Sequence, residues 1–365
     1  MPVIPSGEDP IQLQGIDYVE LYVGNALQSA HFYQSIFGFT PVAHSGLETN
    51  SRDRKSIVMK QGECTLVLTA PLQADGPIAE HVHRHGDGLK DIAFRVEDVA
   101  AAFEKALAFG ARSALPPTAF HDQGGTITKA TVTTYGDTTH SFIQRDDFTG
   151  TFLPDYAPLE GTPAAAAGFA CFDHFAVSLP RGEVQTWVDF YKRGFGFAQI
   201  HEEGIQTEYS AMSSIAVQDP AEKIRFVLIE PKEGKRRSQV EEFLQFYGSP
   251  GVQHIALETS DIIETISALR SRGLGLVTAP ASYYDLLPQR VGPITENITT
   301  LQDLNVLVDR DEWGYLLQIF SKPVQDRPTL FVEIIQRKNA RGFGSGNIQA
   351  LFHALELEQA RRGNL

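Results

Sequence analysis

A chain of 365 residues with 42% hydrophobic and 21% charged side chains is long enough for two domains of ordinary size and too apolar to be disordered. Its formal net charge of −14 argues against a nucleic-acid partner. No run approaches bilayer-spanning length, Met1 to Pro10 lacks the basic end and apolar stretch of a secretory signal, and only Cys64 and Cys171 are present; a reducing cytoplasm, with no membrane association and no disulfide framework, is the expected setting.

Ile16-Asp17-Tyr18-Val19-Glu20-Leu21-Tyr22-Val23 reads as a first strand, followed by an aromatic helix through Phe32-Tyr33 and a Phe37-Gly38-Phe39 turn. Alternating runs such as Thr65-Leu66-Val67-Leu68 then predict further strands. Glu80-His81-Val82-His83-Arg84-His85 carries metal-binding residue types but lies in a polar stretch before Gly86-Asp87-Gly88, and reads as solvated surface. A strand at Gly88 to Phe94 and a helix at Val99 to Phe109 follow. Pro154 to Gly168, with Pro154, Pro158, Pro163 and the Ala164 to Ala167 run, is the expected linker between a first domain, residues 1–153, and a second, residues 169–365.

The second half repeats the first. Phe172-Asp173-His174-Phe175-Ala176-Val177-Ser178-Leu179 matches the first strand, and Phe190-Tyr191 with Phe195-Gly196-Phe197 matches its helix and turn. Gly251-Val252-Gln253-His254-Ile255-Ala256-Leu257 matches Gly88 to Phe94, with a helix again at Ile262 to Arg272. Internal duplication follows, with two units per half. Strand, helix, then several strands point to α+β architecture with mostly antiparallel sheet. Gly234-Lys235-Arg236-Arg237 reads as a solvated turn, and His140, His201 and His353 as structural or exposed. Gly342, Gly344 and Gly346 lack dinucleotide-loop spacing and read as a hinge or a close backbone approach. Gln349 to Arg362, with Leu351, Phe352, Leu355 and Leu357 at helical spacing, predicts a terminal amphipathic helix.

Three polar residues stand inside apolar strand runs of the second half: His174, His254 and Glu333, the last within Leu330-Phe331-Val332-Glu333-Ile334-Ile335. A carboxylate buried without a partner is costly, so Glu333 asks for a cation. Two imidazoles and a carboxylate on one face form the set that non-haem Fe(II) oxygenases use, with positions left for substrate and O2. Tyr18 and Asp91 occupy the places of His174 and His254 in the first half, which therefore reads as a degenerate copy with a structural role.

From about Phe172 to Leu365 the chain resembles the family of 4-hydroxyphenylpyruvate dioxygenase and 4-hydroxymandelate synthase, built from the βαβββ modules of the vicinal-oxygen-chelate (glyoxalase-like) superfamily. The resemblance rests on Thr207-Glu208-Tyr209-Ser210-Ala211, Gly251 to Leu257, Gly314-Tyr315-Leu316-Leu317-Gln318-Ile319-Phe320, Lys322-Pro323-Val324-Gln325-Asp326-Arg327-Pro328 and Phe331-Val332-Glu333-Ile334-Ile335-Gln336-Arg337, and more loosely on Ile16 to Gly38 and Gly86 to Gly110. It implies two open-barrel domains, Fe(II) held by His174, His254 and Glu333, 4-hydroxyphenylpyruvate and O2 as substrates, and a homo-oligomer, dimer or tetramer. It also implies substrate contacts at Ser214, Gln239, Gln253, Gln318 and Asn347, an aromatic lining of Phe320, Phe331 and Phe343, and a terminal lid helix begun by Asn347 and Leu351.

The two activities share oxidative decarboxylation and differ in the carbon hydroxylated, ring for homogentisate and benzylic for 4-hydroxymandelate. The dioxygenase pattern Pro-Ile-Asn-Glu-Pro is replaced here by Val227-Leu228-Ile229-Glu230-Pro231, and Gly-Asn-Phe by Gly346-Asn347-Ile348. Val227, Ile229 and Ile348 therefore resemble the synthase, and benzylic hydroxylation is preferred over the homogentisate alternative. Losing an amide removes a hydrogen-bond partner worth about 1 kcal/mol, and trading Phe for Ile opens pocket volume. A metal-free binding protein or an extradiol dioxygenase of the same architecture is the remaining reading from another class.

Overall fold

The computed structural model describes residues 10–145, 147–160, 165–347, 359, 360 and 363. The first half runs β1 (Leu13–Tyr22), α1 (Ala26–Ser35), β2 (Thr40–Ser45), β3 (Arg54–Gln61), β4 (Cys64–Pro71), α2 (Pro77–His85), β5 (Gly88–Val96), α3 (Val99–Ala108), β6 (Arg112–Asp122), β7 (Gly125–Thr133), β8 (Thr139–Gln144) and β9 (Ala157–Pro158). The second runs β10 (Phe169–Ser178), α4 (Val184–Phe195), β11 (Ala198–Gln206), β12 (Ala211–Gln218), β13 (Arg225–Lys232), α5 (Gln239–Tyr247), β14 (Gly251–Thr259), α6 (Ile262–Ser271), α7 (Ala281–Asp285), α8 (Leu287–Val291), α9 (Ile298–Leu304), β15 (Leu307–Arg310), β16 (Tyr315–Phe320) and β17 (Phe331–Lys338). Strand, helix and three strands recur four times, with α2 and α5 leading into the second unit of each half and α7 to α9 inserted into the last. This is the duplicated βαβββ architecture expected from the sequence.

Local signals repeat with the units. Asp98 caps α3 by accepting from the Ala101 amide, and Asp261 caps α6 by accepting from Glu264. Each carboxylate takes one of the amides that a helix start leaves unpaired. The strands order as β6-β7-β8-β5-β1-β4-β3-β2-β9 and as β11-β12-β13-β10-β14-β17-β16-β15, two sheets that curl into half-barrels. Antiparallel pairing of β1 with β5, and of β10 with β14, joins the units within each half. Inside the units β1–β4, β5–β8, β10–β13 and β14–β17 pair in parallel, each across a helical connection, and the remaining pairs are antiparallel.

One apolar core spans both halves. Phe94 and Phe142 of the first meet Phe195 of the second, each at 6.1 Å between ring centres. His140 lies in this aromatic mass with no exposed surface, its Nε2 2.8 Å from the Tyr191 hydroxyl. Burial pushes its pKa from 6.5 down to about 3, so the folded ring is neutral. Between those values the unfolded chain binds the extra proton, and stability falls as the pH drops below about 6.5, by up to ~1.4 kcal/mol per pH unit. His140→Gln should remove one proton from that dependence, read as urea midpoints between about pH 4 and pH 7; an unchanged slope would place the acid lability elsewhere.

One surface expectation is overturned. His83 and Arg84 are exposed, but His81 and His85 are 5% and 0% exposed. The spacing puts these two rings one turn apart on α2, and the α5 residue Tyr247 from the other half covers them. The Gly234 to Arg237 run is exposed, as expected, and both cysteines are free. No helix among the described residues is long and apolar enough to cross a membrane. The terminal helix expected at Gln349 to Arg362, including Leu351 and His353, lies almost wholly outside the described residues, as does Ile348.

Candidate metal centre

The strands β10, β14 and β17 lie side by side, and their register sets the site. Ala176 on β10 faces His254 on β14, His174 faces Ala256, and Ala256 in turn faces Glu333 on β17. Side chains two apart share a sheet face, so the three polar residues fall on neighbouring positions of one face. Nε2 of His174 is 3.2 Å and Nε2 of His254 is 3.3 Å from the same oxygen, Oε2 of Glu333. All three side chains are buried, and their candidate ligand atoms lie within 4.8 Å of one another.

The electrostatics favour a shared cation. Burial alone would keep the Glu333 carboxyl protonated, but the His174 and His254 imidazoles hold its pKa below the usual carboxylate value. Burial likewise opposes charge on His174, yet Glu333 and Asp173 together hold that ring up at about 9. His254 goes the other way, its pKa lowered by burial and by the charge of His174 despite Glu333. A ring gripped so strongly in its cationic form marks a place where positive charge is stabilised. The donor set of two nitrogens and one carboxylate oxygen fits a divalent transition metal.

Behind His174 stands a second layer that sequence reasoning did not single out. Nδ1 of His174 donates to Asp173 Oδ1 at 2.7 Å, which leaves Nε2 as the nitrogen that can offer a lone pair to a metal ion. Arg337 donates to both Asp173 oxygens, at 2.6 and 2.8 Å, and the fully buried Asp173 carboxyl, although burial opposes it, is held well below the usual range by this guanidinium. Asp173 and His174 are sequence neighbours yet both are buried, because the register slips between Phe172 and His174 and leaves Asp173 without an opposite residue on β14. The same slip between Ile16 and Tyr18 puts Asp17 in reach of Arg145 at 2.7 Å. The repeated Asp was visible in the duplicated strands; its distant Arg partners were not.

The first half shows what replaces the triad. Registers of β5 with β8, set against β14 with β17, place Ser141 where Glu333 stands, beside Tyr18 and Asp91. The Lys129 ammonium donates to the Tyr18 hydroxyl at 2.7 Å and lies 3.9 Å from Asp91. A fixed lysine charge occupies this position and supplies the compensation that a metal would give. A cavity of about 560 Å³ opens beside Tyr18, Glu20 and Lys129, but no imidazole lines it.

Around the second-half triad the expected pocket residues divide. Phe331 stacks on His254 at 4.8 Å between ring centres, Phe320 lies 6.1 Å from the same ring, and Phe343 meets His174 edge-on at 5.2 Å. Val227 and Ile229 pack with Ala176, Met212 and Phe343 in an apolar cluster. Ser214, Gln239 and Gln253 are buried, on β12, at the start of α5 and on β14 beside His254. Gln318 has no exposed surface and neither amide atom has a protein partner, a costly state for a buried amide. Gly344 makes the close approach expected of the glycine-rich segment: its φ is +77°, and a Cβ there would stand 2.7 Å from the Gln318 amide. Asn347 is tied down rather than free, with Oδ1 2.5 Å from the Tyr283 hydroxyl and 3.1 Å from Arg290, while its Nδ2 has no partner.

Comparison with known proteins places the chain in a family. The family model of the Glyoxalase/Bleomycin resistance protein/Dioxygenase superfamily matches residues 15–147 and 172–319, one match in each half. The chain is 43% identical to the 4-hydroxyphenylpyruvate dioxygenase of Tetrahymena thermophila over 99% of its own length and 94% of that protein, and 41% identical to that of Yarrowia lipolytica over 96% and 94%. The chain belongs to the 4-hydroxyphenylpyruvate dioxygenase family. Among solved structures, an engineered variant of 4-hydroxymandelate synthase from Streptomyces coelicolor superposes with a TM-score of 0.88 at 38% identity, covering 96% of this chain and 100% of that one. Within the 4-hydroxyphenylpyruvate dioxygenase family, then, this chain is an oxygenase on duplicated vicinal-oxygen-chelate modules.

Proposed function

We propose that this chain is a cytoplasmic Fe(II) oxygenase that consumes 4-hydroxyphenylpyruvate and O2, releases CO2 and hydroxylates the benzylic carbon to give 4-hydroxymandelate. The observation that carries the metal assignment is the convergence of His174, His254 and Glu333 on one buried point. When bound there, ferrous iron supplies the redox chemistry that couples a 2-oxo acid to O2. His174, His254 and Glu333 would hold it, Glu333 compensating charge and Asp173 fixing the His174 tautomer. Gln318 offers an unpartnered amide to the substrate, with Ser214, Gln239, Gln253 and Asn347 as further polar positions. Phe320, Phe331 and Phe343 keep water from the reacting carbon.

The product assignment rests on Val227 and Ile229. Their apolar cluster gives the aryl end no hydrogen bond at this wall, so the ring is free to turn and present its side-chain carbon. The second reading, homogentisate, is favoured by the dioxygenase names of relatives at 41% and 43% identity. One incubation with 4-hydroxyphenylpyruvate, Fe(II), ascorbate and O2 tests both: homogentisate as the main product defeats the benzylic assignment, and no CO2 release defeats the reaction. Ile229→Asn combined with Ile348→Phe should move the product ratio toward homogentisate by about tenfold, since ~1.4 kcal/mol of barrier difference suffices. A ratio that stays put would show that these positions do not govern the outcome.

A further inference from the structure

We propose that His81, His85 and Asp137 form a second divalent-metal site, of zinc type, which pins α2 and the β7–β8 connection of the first half to α5 of the second. It is separate from the His174 centre and goes beyond the oxygenase reading. The two histidines stand one helical turn apart on the same face of α2, the spacing at which a helix offers two imidazoles to one ion. Asp137 lies in the short connection between β7 and β8, and candidate ligand atoms of the three residues lie within 4.8 Å of one another.

Two independent features need a cation here. His81 is 5% exposed, and neither of its ring nitrogens has a hydrogen-bond partner. Burying an imidazole this way without compensation is costly. The second feature is the tautomer of His85. Its Nδ1 is 2.5 Å from the backbone carbonyl of Tyr247, which only accepts, so Nδ1 carries a hydrogen. Nε2 faces Asp137 Oδ2, another acceptor, at 2.8 Å, so a positive group must stand between them. A proton between them would settle His85 alone; a metal ion settles His85, Asp137 and the unpartnered His81 together. An imidazole that donates its other N–H to a main-chain carbonyl is the usual buttress of a metal-bound histidine.

The surroundings fit a small borderline-soft ion. Two nitrogens and one carboxylate oxygen leave one position for water, as in tetrahedral zinc sites. Tyr247 stacks on His85 at 4.4 Å and Tyr22 meets His81 edge-on at 5.2 Å, shielding the rings. Asp137 is 42% exposed and gives an entry path. Two cations compete for this residue. Arg84 reaches Asp137 Oδ2 at 3.0 Å, but its side chain is 62% exposed and can swing into solvent. Lys90 donates to the Asp137 main-chain oxygen, leaving the carboxylate oxygens to others.

The test is zinc stoichiometry on the full chain by equilibrium dialysis, in the native sequence, in His81→Phe and in Glu333→Ala. The native chain should bind two zinc ions, and each variant one. Added zinc should raise the melting temperature of Glu333→Ala, and His81→Phe should abolish the contribution from the second ion. His81→Phe breaks no hydrogen bond, so it separates metal loss from misfolding; Asp137→Asn serves as the second variant and should weaken this ion at least tenfold. Zinc that binds only at the His174 centre, lost in Glu333→Ala and undiminished in His81→Phe, overturns the proposal, as does a His81→Phe chain of equal or greater stability that still binds two ions.

Discussion

Glu333→Ala is expected to lose metal and turnover together. The substitution removes the carboxylate oxygen that both imidazoles approach, 3.2 Å from His174 and 3.3 Å from His254, and leaves Asp173, behind His174, to compensate a cation from the second layer only. Loss of residues that merely support metal ligands weakens binding by about 10–100-fold, and removing a ligand itself should cost at least about 100-fold. Iron content after gel filtration and O2 uptake with 4-hydroxyphenylpyruvate are the two measurements. A variant that keeps its iron would exclude Glu333 as a ligand. One that loses iron but keeps consuming O2 would place the chemistry elsewhere.

The second large effect is expected at a residue that touches neither metal nor substrate. Arg337→Met removes the bidentate partner of the Asp173 carboxylate, which is 0% exposed and keeps His174 at 2.7 Å and Arg225 at 3.5 Å as its other positive neighbours. Breaking a buried pair from one side costs about 3–5 kcal/mol. Asp173 should then take a proton, loosen its hold on the His174 N–H and lower metal affinity by about 10–100-fold. The double variant Arg337→Met with Asp173→Asn removes the stranded charge, and should recover much of the stability without recovering the affinity. Urea unfolding and metal titration separate the two readouts. An Arg337→Met chain as stable as the parent would mean that solvent or Arg225 takes over the pairing.

The buttress and the ligands differ in how far the sequence reveals them. His174, His254 and Glu333 stood out because polar residues interrupted apolar strand runs, and strand alternation is a local rule. Tyr18 and Asp91 were legible as their counterparts because duplication preserves spacing. Ser141 was not, since matching it to Glu333 needs the register of β5 with β8, which no local pattern states. Lys129, which supplies the charge at the first-half position, comes from a strand 111 residues after Tyr18.

Burial of polar groups was the other limit. Glu80 to His85 has the composition of a solvated helix face, and its exposed His83 and Arg84 agree with that. Whether His81 and His85 are solvated depends on what lies over them, and the cover is Tyr247, 162 residues beyond His85. Composition averages over a helix, whereas packing from a distant segment selects one face of it.

By itself, then, the order of residues determined the repeated βαβββ units and the three ligand candidates, because helix and strand periodicity and duplication are properties of neighbours along the chain. Tertiary structure alone decided the β-bulge that lets Asp173 and His174 be buried together, the Arg337 pairing across 164 residues, and the enclosure of His81 and His85 between the halves. Each of these depends on which distant group displaces water from a polar side chain, and that free energy is set only when the strands and helices pack.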